Sequence, residues 1–252
     1  MPRPLEGRKG IVTGASRGMG RHFVASLVAQ GARVACLARP SSELDSLGAE
    51  FGDAVIPIGC DVADPASVNA AVAEAVAGLG GLDFLVNNAA IFHPFRLEDA
   101  RDEQVMQHLA VNLAGPAWCM RAVIPHLRAS KGQIVSISSE SVRMPFPFLS
   151  IYAATKAGLE TLSAAMRDEL REDGVRVTVL RSGSVEGGTG GKDWDPDVTQ
   201  AFYQTITRTG HAAFTGKAAS PQSMADALLS VLCLPADINI DLIEVRAAAA
   251  AD

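Results

Sequence analysis

Tyr152 and Lys156 stand four residues apart in Tyr152-Ala153-Ala154-Thr155-Lys156, a spacing that brings a phenol and an ammonium to one face of a helix. A free tyrosine titrates at about pH 10 and is a poor proton donor at neutral pH. A positive charge about 4–5 Å away, at an effective dielectric of roughly 20, contributes about 3–4 kcal/mol. At about 1.36 kcal/mol per pKa unit, this moves the phenol toward pH 7, where general acid–base catalysis works best. Ser139 lies thirteen residues before Tyr152, at the end of an apolar run, where a hydroxyl can donate to a carbonyl oxygen. A Tyr-x-x-x-Lys pair alone also fits a solvated helix surface. The serine and the residues that follow make proton delivery to a carbonyl the better reading.

A second set of residues suits a redox coenzyme. Lys9 to Thr13 reads as a strand that runs directly into Thr13-Gly14-Ala15-Ser16-Arg17-Gly18-Met19-Gly20. Glycines at a strand-to-helix turn permit positive φ and let a diphosphate approach backbone N–H groups, and the helix N-terminus adds about half a positive charge. A plain tight turn has the same composition; placement after the first strand of an alternating chain favours a nucleotide. A carboxylate ending the second strand selects NAD, but that strand ends Leu37-Ala38-Arg39. Arg39 and Arg17 together suit a 2′-phosphate, although two solvated surface arginines would read the same way. NADP is therefore the expected cofactor, ahead of NAD. Asp61, in Cys60-Asp61-Val62, is placed to accept from the adenine amino group or to cap the next turn. Asn87-Asn88-Ala89-Ala90 follows the fourth strand and lets the adenosine side of the ligand pass close to the sheet edge.

Between Ser139 and Tyr152 lies Met144-Pro145-Phe146-Pro147-Phe148-Leu149. Its two prolines disfavour regular helix or central strand, so an apolar pocket wall is expected. Phe92, Phe95, Trp194, Phe202 and Phe214 are candidates to join it, which suits a bulky, largely apolar ketone or secondary alcohol, with a smaller polar substrate as the alternative. His93 either reaches the pocket rim or is a satisfied structural histidine.

The elements that must position these groups alternate along the chain. Strands are expected at Arg33 to Ala38, Ala54 to Ile58, Leu82 to Val86, Gln133 to Ile137, Val175 to Leu180 and Asn239 to Val245. Helices are expected at Gly18 to Gln30, Ser41 to Glu50, Pro65 to Gly78, Ser150 to Glu172, Pro196 to Arg208 and Pro221 to Leu234, with one long helical stretch over Asp102 to Ala129. Strands that are apolar nearly throughout call for a sheet covered on both faces. The fold class is α/β: a single-domain, doubly wound, Rossmann-like parallel sheet of about seven strands spanning 1–252. The pattern breaks only at 182–220, a glycine- and aromatic-rich segment expected to form a substrate loop. The Ala-rich tail, Ala247 to Ala251, receives no role.

Composition excludes several function classes. With 22 Lys+Arg against 28 Asp+Glu the net charge is −6, the wrong sign for a general phosphate-backbone binder, so no nucleic acid partner is expected. No apolar run approaches the roughly 18–20 residues of a membrane helix, and Met1 to Gly7 has no signal-peptide character. A cytoplasmic protein without membrane contact is expected. Cys36, Cys60, Cys119 and Cys233 form no C-x-x-C pair; buried reduced thiols are expected, and no metal site.

The chain resembles the short-chain dehydrogenase/reductase family over nearly its whole length. The family's T-G-x-x-x-G-x-G corresponds to Thr13 to Gly20, and its N-N-A-G to Asn87 to Ala90, with Ala90 in place of the last Gly. The thirteen-residue interval between its Ser and Tyr is kept. The resemblance implies a catalytic tetrad of Asn112, Ser139, Tyr152 and Lys156, with Asn112 supporting a proton relay to the lysine. It also implies nicotinamide-side contacts from the segment after the sixth strand, Ser182, Gly183 and Val185. That segment departs from the family's pattern: Ser182-Gly183 replaces Pro-Gly, and Gly187 replaces a Thr, with Thr189 nearby. Val142 replaces the Gly usual three residues after the serine. The implied activity is ketone–alcohol interconversion with a small-molecule partner, in a homodimer or homotetramer. A non-catalytic NADP sensor on the same fold is the alternative.

Overall fold

The computed structural model describes residues 3–187 and 194–248. Among the described residues there are seven strands: β1 (Lys9–Thr13), β2 (Arg33–Ala38), β3 (Val55–Gly59), β4 (Phe84–Asn87), β5 (Gln133–Ser139), β6 (Arg176–Ser182) and β7 (Leu242–Val245). They form one sheet in the order β3-β2-β1-β4-β5-β6-β7, and every pairing is parallel. The order reverses between β1 and β4, so a cleft opens where their C-terminal ends diverge.

Side chains alternate across this sheet, as strand geometry requires. Val12, Phe84, Val86, Val135 and Ile137 point to one face and pack with α1 (Gly18–Ala29), α2 (Ser42–Phe51) and α9 (Pro221–Leu232). Ile11, Leu85 and Ile134 point to the other, against α3 (Pro65–Leu79), α5 (Gly115–Ser130) and α6 (Ser150–Glu169). Both faces are covered, which is why the strands show no polar alternation. Helix starts follow local chemistry. Asp64 caps Ala66 N–H at 2.9 Å with Pro65 as the first helical residue, and Asp195 caps Asp197 and Val198 ahead of Pro196 at the start of α7 (Pro196–Arg208). Such caps contribute about 1 kcal/mol each.

Four expectations are corrected. The stretch expected as one helix is divided into α4 (Asp102–Leu109), a π-helical turn (Ala110–Ala114) and α5. Pro116 has no N–H to donate to the Asn112 carbonyl, and its ring crowds that oxygen, so the regular ladder cannot pass through. β4 starts at Phe84, since Asp83 instead accepts the Lys9 N–H at 2.8 Å. A short helix not read from the sequence, α8 (His211–Thr215), follows α7. Cys36, Cys60 and Cys119 are buried, but Cys233, just past α9, is exposed. Among the described residues no helix is long and apolar enough to cross a membrane.

Close packing at the switch point is testable. A Cβ on Gly10 would stand 1.9 Å from the buried Phe84 ring on the neighbouring strand. Gly10→Ala is expected to lose about 2–3 kcal/mol through overpacking. Phe84→Leu in that background should recover at least half, measured by urea unfolding; additive losses would contradict the contact.

Candidate active site

A cavity of about 1070 Å³ opens at the C-terminal edge of the sheet. Its floor begins at the glycine turn, where Gly14 and Gly18 adopt φ of +64° and +55°. A Cβ on Gly20 would fall 2.1 Å from the Gly14 carbonyl oxygen, and one on Gly14 would fall 2.8 Å from Ala89 Cα. The turn is stitched to the end of β4. Thr13 Oγ1 accepts the N–H groups of Asn88 and Ala89, each at 3.0 Å, and Asn88 Nδ2 donates to the Thr13 carbonyl at 2.8 Å. The Asn88 amide is thus spent on holding the turn.

Arg17 precedes α1 without a side-chain cap, so the first N–H groups of that helix point into the cleft without a side-chain acceptor at the cap position. Ser16, Arg17, Met19 and Gly20 line the cavity here, as do Asn88, Ala89 and Ala90. Arg39, Asp61 and Val62 border it from the ends of β2 and β3, with Arg17 and Arg39 exposed. Asp61 caps its own turn, accepting Ala63 N–H at 2.9 Å, while still lining the cavity. A turn with no room for a Cβ, below an uncapped helix end and flanked by two arginines, fits a dinucleotide.

The reactive side chains gather where this cleft meets a second lobe. Ser139 ends β5; its Oγ accepts the Ser141 N–H at 3.2 Å, and both Ser139 and Tyr152 line the cavity. Tyr152 lies in the first turn of α6, and Lys156 lies one turn further along. The Lys156 Nζ sits 5.8 Å from the centre of the Tyr152 ring and donates to the Ile137 carbonyl of β5 at 2.8 Å. The two groups share a face, as their spacing predicts, but the expected acidification of the phenol is not what the structure shows. Burial pushes the Tyr152 phenol above its ordinary value, the neighbouring Ser139 hydroxyl opposes this, and the Glu140 charge adds to it. Burial lowers the Lys156 ammonium from 10.5 to about 8. Desolvation is the leading cause of both shifts.

Asn112 lies in the π turn and is fully buried behind the cavity rather than in its lining. Its Oδ1 accepts Ile91 N–H at 2.8 Å, and its Nδ2 donates to the Ile91 carbonyl at 2.9 Å and to Thr155 Oγ1 at 3.3 Å. Asn112 therefore grips the loop after β4 and the residue preceding Lys156.

The second lobe is aromatic. Phe92 meets Tyr152 edge-on at 5.0 Å and Trp194 at 5.1 Å; Trp194 Nε1 donates to the Phe92 carbonyl at 3.0 Å, and Trp194 meets Phe202 at 5.8 Å. Phe146 and Leu149 complete this wall. His93 and Phe148 are outside the lining. The His93 ring turns to the buried His108 at 5.8 Å. Phe148 takes φ +68°, rare for a bulky side chain, and its ring packs against Phe202 and beneath Arg96. Phe95 packs on His108 and Phe214 under Arg246. Sequence reading missed Tyr203, Ile206, Ala212 and Thr215 of α7 and α8, and Gln107 of α4, all of which line the cavity. The i, i+4 pair Phe202 and Ile206 was the available signal for the inner face of α7. Ser182, Gly183 and Val185 line the far wall, where Gly183 N–H donates to Val245 at 2.8 Å and Val185 bridges Ala219. Thr189, with Gly188, Gly190 and Gly191, lies outside the described residues.

An open parallel sheet with a glycine turn at its switch point defines the Rossmann-like class of dinucleotide-binding folds. The family model for short chain dehydrogenase matches residues 9–196, and the chain belongs to this family of oxidoreductases acting on alcohol and ketone groups. It is 34% identical over 223 residues to a 3-alpha-(or 20-beta)-hydroxysteroid dehydrogenase of Mycobacterium tuberculosis, covering 88% of this chain and 81% of that one. With L-xylulose reductase of Bos taurus it shares 34% identity, covering 90% of each chain. The structure of a 3-ketoacyl-(acyl-carrier-protein) reductase from Brucella melitensis complexed with NADH matches with a TM-score of 0.82 at 28% identity, covering 96% and 98% of the two chains. A metagenomic short-chain oxidoreductase in complex with NADP matches with a TM-score of 0.78 at 28% identity and the same coverage.

The buried ammonium leaves a pH signature. Because the folded Lys156 titrates below the unfolded lysine, the unfolded chain binds more protons between the two values, and stability from this group rises with pH across that window. Relative to Lys156→Met, the wild-type protein is expected to gain roughly 2–3 kcal/mol between about pH 7 and about pH 10. A stability difference that stays flat in urea melts across that range would contradict the shift.

Proposed function

We propose that this protein is an NADP(H)-dependent oxidoreductase that interconverts a bulky, largely apolar ketone and the corresponding secondary alcohol. The observation that carries this reading is the convergence of Ser139, Tyr152 and Lys156 at the junction of the glycine-turn cleft and the aromatic lobe. A bound nicotinamide coenzyme supplies the hydride.

The side chains then have distinct roles. Ser139 takes the Ser141 N–H on its oxygen, which leaves its own hydrogen to hold a substrate oxygen. Tyr152, kept protonated by burial, delivers its proton to that oxygen as charge develops there. The phenolate left behind is stabilised by the ammonium of Lys156, which β5 holds against the ring. Asn112 keeps Ile91 and Thr155 in place around this pair. Arg17 and Arg39, exposed at the cleft, offer two guanidiniums to a 2′-phosphate. The solved neighbours include one NADH and one NADP complex, so the preference for NADP rests on these two arginines and on the absence of a carboxylate at Ala38.

Aromatic lining supports a bulky apolar substrate over a polyol. The chain is proposed to act as a single unit, in the cytoplasm, as a homodimer or homotetramer. A sensor that binds NADP without turnover is the second reading, favoured only by failure to consume NADPH with every member of a broad ketone panel.

Tyr152→Phe is expected to lower turnover about 10³-fold while NADPH still quenches intrinsic fluorescence with wild-type affinity. Full activity in this variant would end the assignment. Arg39→Ala should weaken NADPH about 10–100-fold with little change for NADH; titrations that shift both equally would refute the phosphate role.

A further inference from the structure

Glu140 directly follows Ser139 and opens the short turn Glu140–Val142. It is only 5% exposed, and the reaction proposed above makes no use of it. Burying a carboxylate is expensive unless it is paired and hydrogen-bonded, and Glu140 draws both partners from distant parts of the chain. Thr215 Oγ1, at the end of α8, donates to Oε1 at 2.8 Å. Arg246, just beyond β7, places its Nε 3.2 Å from Oε2. Arg246 in turn holds α8: its guanidinium lies 4.1 Å from the centre of the Phe214 ring and also donates to the Phe214 carbonyl. Burial raises the Glu140 carboxyl, while Thr215 and Arg246 pull it back.

The helix held in this way is part of the substrate lobe, since Ala212 and Thr215 line the cavity. α8 has five residues and none of them is buried; Ala212 and Phe214 pack on the small cluster of Phe146, Leu149, Phe202 and Ile206, and His211 meets the Pro145 carbonyl at 3.1 Å, so these contacts hold it to the rest of the lobe rather than to the sheet. Its attachment to the catalytic strand runs through one carboxylate adjacent to Ser139. We propose that Glu140 is a positioning residue for substrate: through Thr215 and Arg246 it clasps α8 against the end of β5, and so sets the depth of the lobe measured from Ser139 and Tyr152. This inference rests on the oxidoreductase reading for its kinetic consequence and on geometry alone for its structural one. A ketone large enough to reach α8 depends on the clasp. A small one that fills only the space beside Ser139 and Tyr152 depends on it much less.

The test compares wild type with Glu140→Gln and Thr215→Val, using the largest and smallest ketones that the wild-type enzyme accepts with NADPH. KM for the large ketone is expected to rise about tenfold in both variants, with KM for the small ketone changed less than threefold; any change in kcat in Glu140→Gln, whose charge acts on the Tyr152 phenol, is expected to be equal for the two ketones. Hydrogen exchange in the full-length protein supplies a readout independent of turnover: amides of 211–216 should exchange at least tenfold faster in both variants, with β5 and α6 as in wild type. Equal KM increases for the two ketones, or wild-type exchange at 211–216 in either folded variant, would overturn the clasp. Should Glu140→Gln fail to fold, hydrogen exchange at 211–216 in Thr215→Val decides the question, because Thr215 also lines the cavity and its KM alone would not. A wild-type protein inactive on every ketone would defeat the oxidoreductase reading, and the exchange experiment would still decide the role of Glu140.

Discussion

The hydrogen bond from the Lys156 ammonium to the Ile137 carbonyl fixes how the longest helix sits on the sheet. It crosses from α6 to β5 in a region that excludes water, and it determines the rotation of α6 about its own axis. With that rotation set, Tyr152 faces the end of β5, where Ser139 waits, and Thr155 faces Asn112 in the π turn. A leucine at 156 would suit the surrounding core better, since burial alone lowers the lysine to about 8. The destabilised ammonium is instead held by its bond to β5, with its charge beside the Tyr152 ring one turn earlier.

A second framework holds the helices to the far strands. Glu160 of α6 receives Ser138 Oγ at 2.6 Å and pairs with Arg181 of β6 at 2.6 Å; Arg181 also reaches Glu244 of β7 at 3.1 Å. These largely buried ions tie β5, α6, β6 and β7 into one body, so Ser139, Tyr152 and Lys156 rest on interlinked elements while the aromatic lobe draws on α7, α8 and loops outside them. The division suits a family whose members share a chemistry and differ in what they accept.

Much of this architecture was legible in the sequence because it is carried by local signals. Apolar runs between Gly, Pro and capping residues marked the strands, and Pro65, Pro196 and Pro221 marked helix starts to the residue. The glycine turn and the Ser, Tyr and Lys spacings located the cleft. What escaped depended on contacts remote in sequence. The π turn was signalled by Pro116, yet the apolar periodicity around it reads smoothly through. The raised phenol of Tyr152 could not be anticipated from spacing, since it reflects how much water the aromatic lobe removes. His93 and Phe148 were plausible wall residues by position, but one ring found His108 and the other was turned aside by a left-handed backbone. Glu140 gave no signal at all, because its partners lie 75 and 106 residues further along the chain.

The stitch between Thr13 and Asn88 has a thermodynamic corollary. The glycine turn is already anchored by side-chain hydrogen bonds to the neighbouring strand, so its backbone donors need no ordering when an anion arrives. The entropy lost on association then falls on the incoming molecule rather than on the polypeptide, as in any preorganised receptor. Loosening that anchor would shift the ordering cost onto the polypeptide without removing any of the turn's donors.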